Sequence, residues 1–395
     1  MTRRHEDLDV ARALANLMAF LRIEGLTGAE GPVAEEVQRR LISAGCPRSA
    51  IKLDDAARRL GPPFTIGNVI VTLPGTRPGR RRLFLGHMDT VPLCRGAQPV
   101  RRGDRIVARG STGVRADNRT AVAAIVTAAE IILREARDYP PLTLLFTIGE
   151  ETGLHGAKMV RPRDLGQPDM AFNVDSGDPA TVVIGAIGAV RWTAEFLGRS
   201  SHAGMHPERG VSAMVAAARA IANVAAQGWF GRIQRGRGGT ANVGIIRGGE
   251  ATNQVTDHVV VRGECRSHSA AFLQRIAAAY RRAFEQAARS VRNVRGETAR
   301  VEFRCEEDYR AFRLSRRAPV VRVATRAIRA LGLEPKPVIL DGGLDANPLN
   351  EKGIPTVTLG AGQHNAHSLD EYVSIPEYLD GCRLLLRLMT GSDES

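Results

Sequence analysis

Residues 142–158 read LTLLFTIGEETGLHGAK. The first seven form a short apolar run, rich in branched and aromatic side chains, with the length of a buried strand. A strand there delivers Glu150 and Glu151 to the carboxyl edge of a sheet, the edge at which open α/β sheets bind ligands. Neighbouring residues at a strand end point in different directions, so one carboxylate can hold a metal while the other handles a proton. Alone, two adjacent glutamates are as readily a solvated loop, and the pair gains meaning only from its surroundings.

Working outward, the same construction recurs. Leu83-Phe84-Leu85 runs into Gly86-His87-Met88-Asp89-Thr90. Imidazole is the commonest protein ligand for zinc, and a metal-bound histidine normally gives its other ring proton to a carboxylate, a part that Asp89 can fill. Residues 110–119, GSTGVRADNR, form a glycine-rich loop that opens a long apolar segment, 120–133, with the pattern of a buried helix. Asp117 stands at that helix's beginning, either as an N-cap or as a carboxylate bridging two cations. Residues 170–174, MAFNV, read as a third buried strand and deliver Asp175. Solvated loop acids have no reason to follow buried strands so regularly.

Periodicity predicts helices over 8–23 and 32–44 and a strand over 66–73. From about Val190 the texture changes: strand 191–196, helix 211–226, strands 241–246 and 254–266, helix 269–289 and strand 300–305. This β-α-β-β-α-β order fits a two-layer, ferredoxin-like α+β module. After residue 319 the first texture returns, with a helix to 331, strands 337–340 and 354–359, and a last helix over 376–389. Between the last strand and helix, GAGQHNAHSLDEYV carries His364 and His367. If either joins the early acids, the first domain is discontinuous, comprising 1–188 and 311–395, with 189–310 inserted.

Composition narrows the function classes. A chain of 395 residues with 43% hydrophobic content can bury two domain cores. The formal charge of +13 comes almost wholly from arginine, since lysine occurs only at Lys52, Lys158, Lys336 and Lys352. The arginines are spread along the chain instead of gathering into a stripe, so no nucleic-acid partner is expected. The five cysteines, odd in number and widely spaced, argue against a disulfide framework or a cysteine zinc site and fit a reducing cytoplasm. The charged start, MTRRHEDLDV, lacks the apolar core of a signal peptide, and no apolar run approaches the roughly 18 residues of a membrane span.

With His87-x-Asp89, Asp117, Glu150-Glu151, Asp175 and a late histidine in hand, the chain resembles the M20 family of dinuclear zinc peptidases and deacylases. GHMDT, the glycine-rich loop before Asp117-Asn118, GEETGLHGAK, NVDSG, GRSSHAG and DGGLDANPLNEKGIPTVTLGAG before AHSLDEYV occur in family order, and the resemblance covers the chain from about residue 10 to 390. The resemblance implies an α/β, zinc-exopeptidase-type catalytic domain, its mixed central sheet covered by helices on both faces, plus an inserted α+β domain serving as lid and dimerisation module. It implies two zinc ions, one held by His87 and Asp175, the other by Glu151 and His367, with Asp117 bridging and its bond to Asn118 cis. Glu150 matches the general base, and Asp89 the residue that holds the first histidine. His202 matches an oxyanion-stabilising histidine, which in dimeric members reaches the neighbouring subunit's site. Asn253 and Arg266 match substrate contacts, a task that suits an arginine's bidentate fork.

Two zinc ions roughly 3.5–4 Å apart share a water whose pKa falls toward about 7. Glu150 would take its proton and pass it to the leaving nitrogen. Cobalt or manganese would suit the same ligand types. Aspartate at position 175 and GEETGLHGAK resemble the aminopeptidases, including tripeptidase T, so the predicted reaction is aminopeptidase cleavage of short peptides. An N-acyl-amino-acid deacylase or carboxypeptidase is the alternative. Outside catalysis, the chain could be a dead relative used as a binding module, or a nucleic-acid binder with steeply salt-dependent affinity. Two departures stand out: Asp117-Asn118-Arg119 replaces a more usual acid-acid-lysine, and Leu344 replaces a small polar residue.

Overall fold

The structure, a computed structural model, describes residues 8–236 and 238–391. The first seven positions of the charged N-terminus lie outside the described residues. The described residues divide into two compact units, one within 8–185, 313–340 and 344–391, the other within 186–312 with 341–343.

The first unit is built on a nine-stranded mixed sheet. Its centre is four mutually parallel strands in the order Leu142–Thr147, Arg82–His87, Met170–Val174 and Thr356–Leu359. Parallel neighbours share a direction, so the residues following all four emerge at one edge. That edge therefore receives His87, the 148–151 turn, Asp175 and the segment leading to His367. The antiparallel strands Val69–Leu73 and Thr181–Ala186 flank this centre.

Side chains alternate between the two faces of the central strands, as the pleat requires. Phe84, Phe146, Phe172 and Val357 enter the larger core, with Phe84 and Phe172 stacked at 5.2 Å. Helices Val10–Arg22, Gly31–Ser43, Ala116–Arg134, Pro319–Ala330 and Ile375–Thr390 contribute to that core. Leu83, Leu85, Leu145 and Ala171 point the other way, packing with Leu349 of the short helix Ala346–Glu351. The mixed sheet with helices on both faces is the predicted architecture. The run 120–133 is buried because helix Ala116–Arg134 has its apolar residues on all sides, and Asn16 meets its Thr127 and Glu130 at 2.9 and 3.0 Å.

The second unit is an antiparallel sheet in the order Gly231–Ile233, Gly239–Gly248, His258–Ser267, Gly188–Leu197, Arg300–Tyr309. Helices Ala213–Ala226 and Ala270–Ser290 pack on one face. Alanines 213, 216, 217 and 220 let the first of them lie close, while Tyr280 and Phe284 of the second form an aromatic cluster with Trp192 and Phe303 of the sheet. In this unit one strand was absent from the sequence reading: Gly231–Ile233 has three residues, too few to show a period, and it pairs with 239–241. The strand predicted to begin at 254 begins at His258, because 254–257 bond to loop partners instead, as in Val255 N–H to Ser201 O at 2.9 Å.

Among the described residues, no helix is long and apolar enough to cross a membrane.

Candidate active site

The carboxyl edge of the first unit gathers the five predicted ligands. His87 Nε2 lies 3.0 Å from Asp117 Oδ1 and 3.9 Å from Asp175 Oδ1. His367 Nε2 lies 2.8 Å from Glu151 Oε2 and 3.5 Å from Asp117 Oδ2. The two oxygens of Asp117 thus face two different histidines, the geometry of a bridging carboxylate. The Asp117–Asn118 peptide bond is cis, and Asn118 donates to Val174 O at 2.7 Å. His364, the other late histidine, is not in the cluster: it stacks on Tyr372 and bonds to Glu377.

Asp89, fully buried, braces the pair of glutamates. Its Oδ1 accepts the Glu150 N–H at 3.0 Å and lies 3.2 Å from His87 Nδ1. Its Oδ2 accepts the Glu151 N–H at 3.2 Å and the Thr27 hydroxyl at 2.7 Å. With Nδ1 directed at Asp89, His87 presents Nε2 to the cluster.

The electrostatics call for cations. Asp89, Asp117, Glu150, Glu151, Asp175 and Asp345 converge, six acids against the positive charge of His87, His367, Arg119 and Lys158. Burial, then the mutual repulsion of the acids, pushes Glu150 and Asp175 well above the ordinary carboxylate range. Burial raises Glu151 as well, opposed by its bond to His367. Hydrogen bonds to Asp117 and Glu151 lift His367 to about 10. Contacts with Asp117 and Asp89 raise His87 despite its burial.

Ligand atoms of His87, Asp117 and Glu151 all lie within 4.8 Å of one another, and Glu151 Oε1 is buried without a hydrogen-bond partner. An orphaned carboxylate oxygen among buried acids is costly unless a cation meets it. The donor set of imidazoles and carboxylates suits divalent zinc, cobalt or manganese.

Several site residues escaped the sequence reading. Gln363 donates to Asp175 Oδ1 at 3.1 Å and accepts from Thr120 at 3.0 Å, fixing that carboxylate's rotamer. Glu30 accepts the N–H groups of Gly28 and Gly149 on one oxygen, at 3.0 and 3.1 Å, tying the 148–151 turn to the chain's start. Asp345 accepts from Thr147 at 2.5 Å. Arg119, the departure noted beside Asp117, is fully buried and donates to Met88 O and Gly25 O. Leu344 is buried and its N–H bonds to Asn347 Oδ1 at 3.0 Å. Glu30 was hidden at a helix start, Gln363 lies in a two-residue strand too short to show a period, and Asp345 stands at the N-cap of a short helix.

His202, Asn253 and Arg266 belong to the second unit. His202 Nδ1 accepts the N–H groups of Gly204 and Met205, each at 3.1 Å, which leaves Nε2 as the protonated nitrogen. Asn253 O accepts the Ala203 N–H at 2.8 Å, so its segment runs beside that of His202. Arg266 forks onto Glu264 at 2.8 and 3.1 Å.

Comparison with known proteins gives this geometry a family. The chain is 29% identical over 379 residues to Bacillus subtilis (strain 168) protein YqjE, described as uncharacterized, covering 96% of this chain and 97% of that one. A tripeptidase from Staphylococcus aureus subsp. aureus Mu50 superposes with a TM-score of 0.85 at 28% identity, covering 97% of this chain and 98% of the other. Aminopeptidase PepT from Bacillus cereus ATCC 10987 gives 0.81 at 28% identity with the same coverage. The model of peptidase family M20/M25/M40 matches residues 83–391, spanning the whole acid and histidine cluster. The chain therefore belongs to peptidase family M20/M25/M40, and is a metallo-exopeptidase of that family.

Proposed function

We propose that this chain is a dinuclear zinc aminopeptidase that cleaves short peptides, tripeptides foremost, at their amino end. The observation that carries this reading is the likeness, over 97% of the chain, to a tripeptidase. His87 and Asp175 would hold one ion, Glu151 and His367 the other, with Asp117 between them. When bound, the metal ions supply Lewis-acid polarisation of the scissile carbonyl and acidify the attacking water.

The protein's own groups do the rest. Glu150 takes a proton from the attacking water on a carboxylate oxygen and returns it to the leaving amine nitrogen. A base for this cycle needs a pKa nearer neutrality than an ordinary glutamate's, and burial, then the acids around Glu150, favour that direction. Asp89 holds the Glu150 and Glu151 N–H groups, so the base and a ligand keep a fixed spacing. His202, with its proton on Nε2, is assigned to the developing oxyanion. Asn253 and Arg266 are assigned to binding the substrate's backbone or carboxylate, which requires Arg266 to exchange Glu264 for substrate.

The unit of residues 186–312 is assigned the roles of lid and homodimer interface. Its strand segment 242–248 has no neighbour on its outer side among the described residues, and Ile245 and Ile246 are 40% and 48% exposed. An apolar open edge of that length favours a partner strand. The five cysteines are all free thiols, which suits a cytoplasmic enzyme.

The test is a screen of tripeptides, dipeptides and N-acyl amino acids with zinc-, cobalt- and manganese-loaded protein. Release of the amino-terminal residue from tripeptides supports the assignment. Exclusive deacylation, or release from the carboxyl end, replaces it with the deacylase or carboxypeptidase reading.

A further inference from the structure

Beside Asp89, Glu30 and Asp345, one more buried acid near the cluster is neither a proposed ligand nor a proposed base. Glu371, only 3% exposed, lies four residues beyond His367 in the SLDEYV segment. Its Oε2 accepts the N–H groups of Val114 and Arg115 at 2.5 and 3.0 Å, and its Oε1 accepts the Asp117 N–H at 3.1 Å. The Cys94 thiol adds a weak donor to Oε2 at 3.6 Å.

The loop is shaped around this carboxylate. A Cβ on Gly113 would stand 2.6 Å from Glu371 Oε2 and 2.8 Å from Cys94 Sγ, so any other residue there would push the carboxylate or the thiol aside. Arg115 adopts a φ of +68°, a left-handed conformation rare for a side-chain-bearing residue, and its N–H turns onto the carboxylate. A second acid set beside Asp117 adds repulsion to a site already rich in negative charge, so loop packing alone is a poor reason for it. A neutral side chain would fill the space without that cost.

We propose that Glu371 is a positioning residue for the divalent metal pair: it clamps the Asp117 loop to the segment carrying His367 and so fixes the bridging ligand and this terminal ligand relative to each other. The clamp needs both carboxylate oxygens as acceptors. Glutamine supplies one, and its amide N–H₂ then confronts a backbone N–H whichever way it turns. The inference rests on the metal-site reading above.

The experiment is metal titration of metal-free wild type, Glu371→Gln and Ile132→Val, using chelator competition for zinc and the visible absorption of bound cobalt(II). Ile132→Val truncates the buried interior of the same helix, fifteen residues from Asp117, and controls for lost stability. The expected result is wild-type-like binding by Ile132→Val. Glu371→Gln should bind at least one ion about 10-fold or more weakly, with an altered cobalt spectrum. Its kcat should fall at saturating metal while KM changes little. Wild-type affinities and spectrum in Glu371→Gln would overturn the proposal, whatever its melting temperature. A wild type that binds no divalent metal would instead sink the metal-site reading itself.

Discussion

His87 Nδ1 stands 3.2 Å from Asp89 Oδ1, and that carboxylate also receives the Glu150 and Glu151 N–H groups, so one acid orients a ligand and places both glutamates. With the Thr27 hydroxyl, four donors converge on two oxygens. An asparagine offers one acceptor oxygen where two are needed. Asp89→Asn should therefore weaken metal binding or kcat/KM by roughly 10–100-fold while the fold persists. Metal content after dialysis and steady-state kinetics measure both; unchanged values would remove Asp89 from the machinery.

Glu150 should separate chemistry from metal binding. Replacing it with glutamine keeps the backbone N–H on Asp89 and removes only the proton carrier. We expect Glu150→Gln to lose about 10²–10⁴-fold in kcat while retaining the wild-type metal stoichiometry. Retained turnover would move the base elsewhere.

Much of this site was legible because four parallel strands leave a regular signal. Three short apolar runs, leading to His87, Glu150-Glu151 and Asp175, predicted a common edge; the sheet puts their strands side by side and adds Thr356–Leu359 as a fourth parallel neighbour. His364 and His367 could not be ranked by pattern, since both stand on one loop. Only the resemblance chose His367, and the structure turns His364 toward Glu377. Glu30, Gln363 and Glu371 were illegible for a physical reason: each acts through a partner more than a hundred residues away, and local periodicity carries no such information. The hairpin strands Pro99–Arg102 and Arg105–Ala108 were missed because four-residue strands full of arginine show no alternation.

Glu30 gives a pH-dependent prediction. Burial, then the charge of Asp89, pushes its carboxyl up to about 7 from 4.5. A folded pKa above the unfolded one means that stability is fully present below about 4.5 and is lost as pH rises through about 7. The loss at alkaline pH is on the order of 3 kcal/mol. In Glu30→Gln the side-chain carbonyl keeps the bonds to Gly28 and Gly149, because both meet one oxygen. Thermal melts in chelator from pH 5 to 9 should show the variant gaining on wild type as pH rises. Parallel pH profiles would contradict the assignment.

His202 tests the oxyanion assignment. Gly204 and Met205 fix its tautomer through Nδ1, so His202→Ala removes the Nε2 donor and should lower kcat by about 10²–10³-fold. KM and metal content should move little. A loss confined to KM would make His202 a binding residue instead.

The open edge of the second unit bears on assembly. Strand segment 242–248 has a register shift between Val243 and Ile245 and offers Ile245 and Ile246 to solvent, with neither lysine nor proline to block pairing. A second copy laid antiparallel along this edge would satisfy its free backbone groups and cover both isoleucines. Ile246→Glu then sets like charges near each other across the two-fold, where they repel, and costs a monomer little because Ile246 is already 48% exposed. Sedimentation velocity should show wild type as a dimer and Ile246→Glu shifted to monomer at micromolar concentration. A wild type that sediments as a monomer, or a variant that stays dimeric, places the interface elsewhere.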